Sequence, residues 1–229
     1  MTANLADLWK YDLRRGKTDH PRNGACLFDA GMWLVYGRIG DDPPCSCPVT
    51  RRYGIGLNDR MPHNQRQRLR QFILRIVGNR DPAAEPARAR LILLETARRV
   101  VPLAFDAHWP ALAAEMRALA DDASASAIRD LMKRSQIAAT DRGRRVVIRA
   151  GYDAADAAAN AAANAANAAD AANAAACADD ARAADAYGDA WDHAIWILDA
   201  ALRIGRQSPE FDESEIRAAV EQFELARVE

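Results

Sequence analysis

Residues 152–186 read YDAADAAANAAANAANAADAANAAACADDARAADA. Alanine dominates, and Asp153, Asp156, Asn160, Asn164, Asn167, Asp170 and Asn173 interrupt it three or four positions apart. Alanine has the best helix propensity, whereas Asn and Asp are poor inside helices. The spacing averages slightly under the helical turn of about 3.6 residues, so the polar stripe starts on one face and drifts around it. A pentapeptide-type β-helix would need steps of five and a recurring large apolar residue, and neither is present. The run therefore predicts one long helix, or a helical hairpin broken near Asp179-Asp180. It has almost no large side chain and cannot build a core alone. It must lie close against something else, since alanine surfaces let helix axes approach to the near end of about 8–10 Å.

Outward from this run, the periodicity stays helical. On the C-terminal side, Tyr187, Trp191, Ile195, Leu198 and Leu202 form an apolar stripe that ends at Gly205. A last helix follows, with Asp212 as N-cap, Glu215 three residues on, and Ile216, Val220 and Phe223 inward. On the N-terminal side, residues 24–36 predict a short buried helix, and residues 37–47 a loop with turn chemistry at Asp42-Pro43-Pro44. Pro48 opens a helix to about Asp59. Pro62 opens the next, which carries Leu69, Phe72, Ile73 and Ile76 inward and stops at Gly78. Asp81-Pro82 supplies an N-cap and N1 pair for a helix ending before Pro102. Pro110 and Ser124 or Ser126 begin two more. Residues 140–151 hold a Val-Val-Ile triplet that suits a strand or a helix, and helix fits its neighbours. The expected fold is all-α, with an N-terminal helical core over residues 1–150 and a C-terminal alanine-rich arm over residues 151–229.

Charge follows the same division. Residues 1–80 hold 14 Lys and Arg against 7 Asp and Glu, residues 81–150 hold 12 against 9, and residues 151–229 hold 5 against 16. The net charge is only −1, so the chain is a basic front joined to an acidic back. The halves can attract each other within the fold or head to tail between copies, or each can face a partner of opposite charge. The cations are nearly all arginine, which together with abundant alanine is also the signature of a GC-rich genome. The N-terminus lacks the apolar core of a secretory signal, and no window offers about 18 uncharged apolar residues for a membrane span. The expectation is a cytoplasmic protein with no membrane association, whose four cysteines are thiols or ligands rather than disulfides.

Residues 24–80 resemble a family of bacterial and phage proteins without assigned activity. The shared pattern reads here as Cys26-Leu27-Phe28-Asp29-Ala30, Cys45-Ser46-Cys47-Pro48-Val49, Leu57-Asn58-Asp59, Arg68-Leu69 and Val77-Gly78. Asp29 stands where that pattern has Glu, and Cys47 is additional. Alanine-rich tails accompany the same pattern. The resemblance implies a fold expectation and a phage or mobile-element origin.

Three constellations carry candidate chemistry. Cys26, Cys45, Cys47 and His63 have the ligand types of a Cys3His zinc site, although Cys-x-Cys is less diagnostic than paired Cys-x2-Cys knuckles; this set would make the chain a metal-bearing or hydrolytic enzyme. Asp29, Asp41, Asp42 and Asp59 are the carboxylates available to acid–base work, which requires that their environments differ. Arg66, Arg68, Arg70 and Arg75, with Arg51 and Arg52, offer phosphate contacts for a nucleic acid; no aromatics for base stacking are interleaved with them, and a solvated outer face explains them equally. No phosphate-binding glycine loop or dinucleotide fingerprint is present. Trp196 lies off the stripe led by Trp191 and sits beside Asp192, Asp199 and Arg203. An exposed Trp ringed by charge is an interface anchor, unless another helix covers it. The function expected is therefore non-catalytic binding of a protein partner, through Trp196, Asp192, Asp199 and the arginine face. A homodimer on the alanine arm is one form of this. An inhibitor of a host defence complex, anti-CRISPR-like, is the form suggested by a phage origin.

Overall fold

The computed structural model describes residues 12–16, 18, 24–36, 38–42, 45–106, 109–141 and 181–206. They form seven α-helices and no sheet: α1 Leu27–Tyr36, α2 Pro48–Arg60, α3 His63–Arg66, α4 Glu85–Glu95, α5 Pro110–Arg117, α6 Ala125–Asp141 and α7 Ala181–Leu202. An isolated bridge between Leu13 and Ala25 is the sole extended pairing among them. The fold is all-α, as the periodicity requires. The alanine run up to residue 180, residues 142–151 and the helix expected from Asp212 lie outside the described residues; the last part of the run, from Ala181, opens α7.

The described residues fall into two compact units that divide at Glu85/Pro86 and at Ala201/Leu202. In the first, α1 packs on α2 and on a 3-10 segment, Gln67–Phe72. Phe28, Tyr53, Leu57, Leu69, Phe72 and Ile76 are at most 1% exposed. A single turn of α-helix after Pro62 gives way to this 3-10 segment, where a longer α-helix was expected. Gln67 is held across the fold, accepting from Leu13 N–H at 2.9 Å and donating from Nε2 to Leu13 O at 2.9 Å. The inward residues are nonetheless those of the periodic stripe, and Gly78 stops the segment at φ +78°.

In the second unit, Leu94, Ala97, Val101, Phe105, Met116 and Leu131 belong to one buried cluster. α4 starts at Glu85, a turn later than expected, because Asp81 organises a turn of its own: it accepts Ala83 N–H at 3.1 Å through Oδ1 and Ala84 N–H at 3.0 Å through its carbonyl. After Glu95 the chain widens into a π-helical turn, Thr96–Val100, and then tightens into a 3-10 turn, Val101–Ala104. Pro102 has no N–H to give, so the regular ladder cannot continue. Such π turns are recurrent at functional positions. α7 buries Trp191, Ile195, Leu198 and Leu202, each at most 7% exposed.

Candidate functional site

Each sequence-derived constellation can now be located. Cys26 is buried, and its sulfur accepts Asp29 N–H at 3.3 Å. Burial, reinforced by the Asp29 charge, pushes the thiol far above its ordinary range. It is therefore a protonated core group, neither a nucleophile nor a ready thiolate ligand. Cys45 lies elsewhere, with Sγ 2.7 Å from Tyr36 Oη. That contact, then burial and the cysteine's charge, pushes the tyrosine up to about 12. Cys47 is 0% exposed at the N-cap of α2, and its N–H donates to Asn79 Oδ1 at 2.9 Å. His63 is exposed, with Nε2 3.4 Å from Asp12 Oδ1. The zinc set does not converge: among the described residues no group of three or more His, Cys, Asp or Glu is placed to hold a metal ion.

Of the carboxylates, only Asp29 and Asp41 bear on each other; Asp42 and Asp59 are engaged with other groups. Asp42 pairs with Arg51. Asp59 accepts Gly16 N–H at 3.0 Å and Asn58 Nδ2–H at 3.2 Å. Asp29 is 1% exposed; its Oδ2 accepts Thr18 N–H at 3.3 Å and its Oδ1 has no hydrogen-bond partner. Burial raises its pKa, and the neighbouring Asp41 charge adds to the effect.

Arg66 departs most from expectation. It is 6% exposed, and its guanidinium donates to Asn58 O at 2.5 Å and Met61 O at 2.6 Å. These carbonyls lie at the C-terminal end of α2, where no intrahelical N–H can reach them. The residue is thus a C-terminal cap, not part of an outer phosphate-binding row. Desolvation, and after it the Arg15 charge, lowers its pKa. Arg70 turns toward Asp12 at 4.0 Å, Arg68 donates to Gln65 Oε1 at 2.8 Å, and Arg75 stacks on Phe72 with 5.5 Å to the ring centroid. The row is engaged with its own fold.

Trp196 is 44% exposed, whereas Trp191 is 1% exposed on the other side of α7. The Arg99 guanidinium lies over the Trp196 ring, 4.4 Å from its centroid, a cation–π geometry. Glu95 fixes that arginine, with Oε2 2.6 Å from Arg99 Nε. Its other oxygen is 3.3 Å from Arg98 Nη1, and Arg98 also reaches Asp121 at 2.6 Å. A single buried carboxylate therefore orders both cations of the π turn. His193 is half-buried beside them. Burial, and after it the Arg99 charge, lowers its pKa against the pull of Asp189, Asp192 and Glu95, so the imidazole is neutral at neutral pH. Asp189 and Asp192 are exposed and Asp199 is partly so. Sequence reasoning found Trp196, Asp192 and Asp199 but missed Arg99 and Glu95. Their i,i+4 spacing before Pro102 marks an ion pair, yet nothing in the sequence brings it to α7.

Comparison with family models, with curated proteins and with solved structures finds no match for the chain. Among the described residues no helix is long and apolar enough to cross a membrane.

Proposed function

We propose that this protein acts without catalysis, by binding a protein partner through the Trp196 face of α7. One observation carries the reading: a large aromatic side chain is 44% exposed yet pre-ordered by Arg99, itself fixed by Glu95. Ordering a rotamer before binding removes part of the entropy that association costs, and Trp and Arg are the residue types that dominate binding energy at interfaces. In its narrower form, which assumes that residues 24–80 do belong with the bacterial and phage proteins whose pattern they share, the partner is part of a host defence complex.

Affinity capture with the wild type and with Trp196→Ala tests the reading. The wild type is expected to retain a protein in stoichiometric amount, whether foreign or an untagged second copy, and Trp196→Ala is expected to lose it with its circular dichroism unchanged. Equal recovery by both proteins, or turnover of a substrate by the purified chain, would overturn it.

A further inference from the structure

Within the arginine row, Arg70 is held without enough acceptors. Its side chain is only 17% exposed on the 3-10 segment, and its buried Nε–H has no hydrogen-bond partner. Its ion contact, Asp12 Oδ1, is 4.0 Å from Nη2, beyond hydrogen-bond reach. Burial lowers the Arg70 pKa, and the Asp12 charge offsets this only in part. Asp12 is itself divided. The same Oδ1 is 3.4 Å from His63 Nε2, and Oδ2 accepts Arg14 Nε–H at 3.2 Å. A single carboxylate thus faces the side chains of Arg14, His63 and Arg70. The excess of positive charge continues beside it. Arg66, desolvated by burial, feels Arg15 as a further cation, with Asp59 and Asp12 as the opposing anions. Among the described residues placed at this corner, four guanidiniums, those of Arg14, Arg15, Arg66 and Arg70, meet two carboxylates, those of Asp12 and Asp59. The corner is fixed by its backbone. Leu13 is clamped by Gln67 and paired with Ala25. Asn58 Nδ2–H donates to Arg14 O at 2.8 Å, and Gly16 N–H donates to Asp59 Oδ1 at 3.0 Å. The backbone that carries Arg14 is therefore set against the end of α2 and the 3-10 segment before any ligand arrives.

We propose that this corner binds a phosphate group, taken by the Nη donors of Arg70 together with Arg14 and His63. The ligand class follows from what Asp12 leaves undone. A carboxylate offers two oxygens in one plane, and Asp12 engages both while Arg70 stays short of an acceptor. A phosphate group offers three strong acceptor oxygens and a larger charge. It can therefore accept from donors on three separate stretches of chain: residues 12–16, α3 and the 3-10 segment. Guanidinium matches phosphate in shape and keeps its charge when partly desolvated. The excess of guanidiniums over carboxylates leaves the corner attractive to an anion with Asp12 in place, and Asp12 is the competitor that the phosphate displaces. Trp196 plays no part, so the site stands or falls apart from the reading of α7. A small phosphate ester and the backbone of a single-stranded nucleic acid both carry the group.

The test is titration of inorganic phosphate into the full isotope-labelled chain at matched ionic strength, read on the arginine Nε–H resonances. The Arg70 signal is assigned by its loss in Arg70→Lys, and circular dichroism confirms the fold of each variant. The Arg70 resonance is expected to shift and to saturate. Arg14→Ala, at an exposed position, is expected to weaken binding about tenfold, the loss of one charge-assisted hydrogen bond. Asp12→Asn keeps the shape and removes the competitor, and is expected to bind phosphate about fivefold more tightly, the relief of one like-charge repulsion near the surface. An Arg70 resonance that phosphate leaves in place overturns the proposal, as does a shift that never saturates, which is screening by ions alone. Unchanged affinity in Arg14→Ala places the anion elsewhere and overturns it too. So does weaker binding by Asp12→Asn, which makes that carboxylate part of the scaffold instead of a competitor. A second titration, with a short single-stranded DNA, separates the sources of the group. The same Arg70 shift at a lower ligand concentration, lost steeply as salt rises, assigns the site to a nucleic-acid backbone. DNA that shifts Arg70 no more readily than inorganic phosphate does assigns it to a small phosphate ester. Either result keeps the phosphate site.

Discussion

At the residue scale, burial decides what each candidate group does. Arg66 looks in the sequence like one of a row of surface cations, but its guanidinium closes the end of α2 on Asn58 O and Met61 O. Truncation leaves those carbonyls buried without a donor, at about 1–3 kcal/mol each. Arg66→Ala is therefore expected to lower stability by about 2–6 kcal/mol in urea titration, whereas Arg52→Ala at the exposed surface is expected to stay within about 0.5 kcal/mol of the wild type. Any loss of nucleic-acid binding in Arg66→Ala would then report a damaged fold. Asp29 gives a pH dependence. Its folded pKa is raised by burial, so the fold favours the neutral carboxyl. The contribution to stability is fully present below the unfolded value of about 3.9 and is lost as pH rises through the folded value. Asp29→Asn stays neutral and keeps an acceptor for Thr18 N–H. It is expected to exceed the wild type in stability at neutral pH, with the difference closing as pH falls toward about 4; urea titrations across that range check it. A difference that grew toward acid would mean that the carboxylate is stabilised in the fold.

At the element scale, the sequence reveals which residues face inward better than it reveals the kind of helix that carries them. Leu69, Phe72, Ile73 and Ile76 are all at most 1% exposed, as their spacing indicates. The 3-10 form of that segment depends on Gln67 reaching Leu13, 54 positions away, which no local pattern encodes. The π turn at Thr96–Val100 is foreshadowed by Pro102, but its consequence, Arg99 over Trp196, requires a helix nearly a hundred residues later. Gly31 shows the opposite case, where a small residue in a helical pattern marks a close approach. A Cβ there would fall 2.9 Å from Val77 Cγ2 and 3.1 Å from Ile73 O. Gly205 ends α7 at φ +67°, and a Cβ would collide with Ala84, while Arg206 N–H donates to Asp81 Oδ2 at 2.9 Å. The left-handed conformation alone costs a side chain about 1–2 kcal/mol. Gly205→Ala is therefore expected to lower the unfolding midpoint by more than that cost implies, as thermal denaturation followed by circular dichroism will show. An unchanged midpoint would mean that the turn re-forms freely.

At the scale of the whole molecule, the all-α class was legible from periodicity. The compact units divide at Glu85/Pro86 and at Ala201/Leu202, which groups α7 up to Ala201 with elements far earlier in the chain; Arg99 over Trp196 is one such long-range contact. The candidate site was half legible: exposure of Trp196 follows from its angle to Trp191 on the helix, but the arginine that orders it does not. The proposed role of Trp196 at an interface requires that something cover it when the protein works. Hydroxyl-radical footprinting in crude cell extract and in dilute purified protein reads that coverage directly, with buried Trp191 as an internal reference. Trp196 is predicted to be oxidised readily in the dilute protein and protected in the extract, with Trp191 unchanged. Equal oxidation of Trp196 in both would contradict an interface at α7.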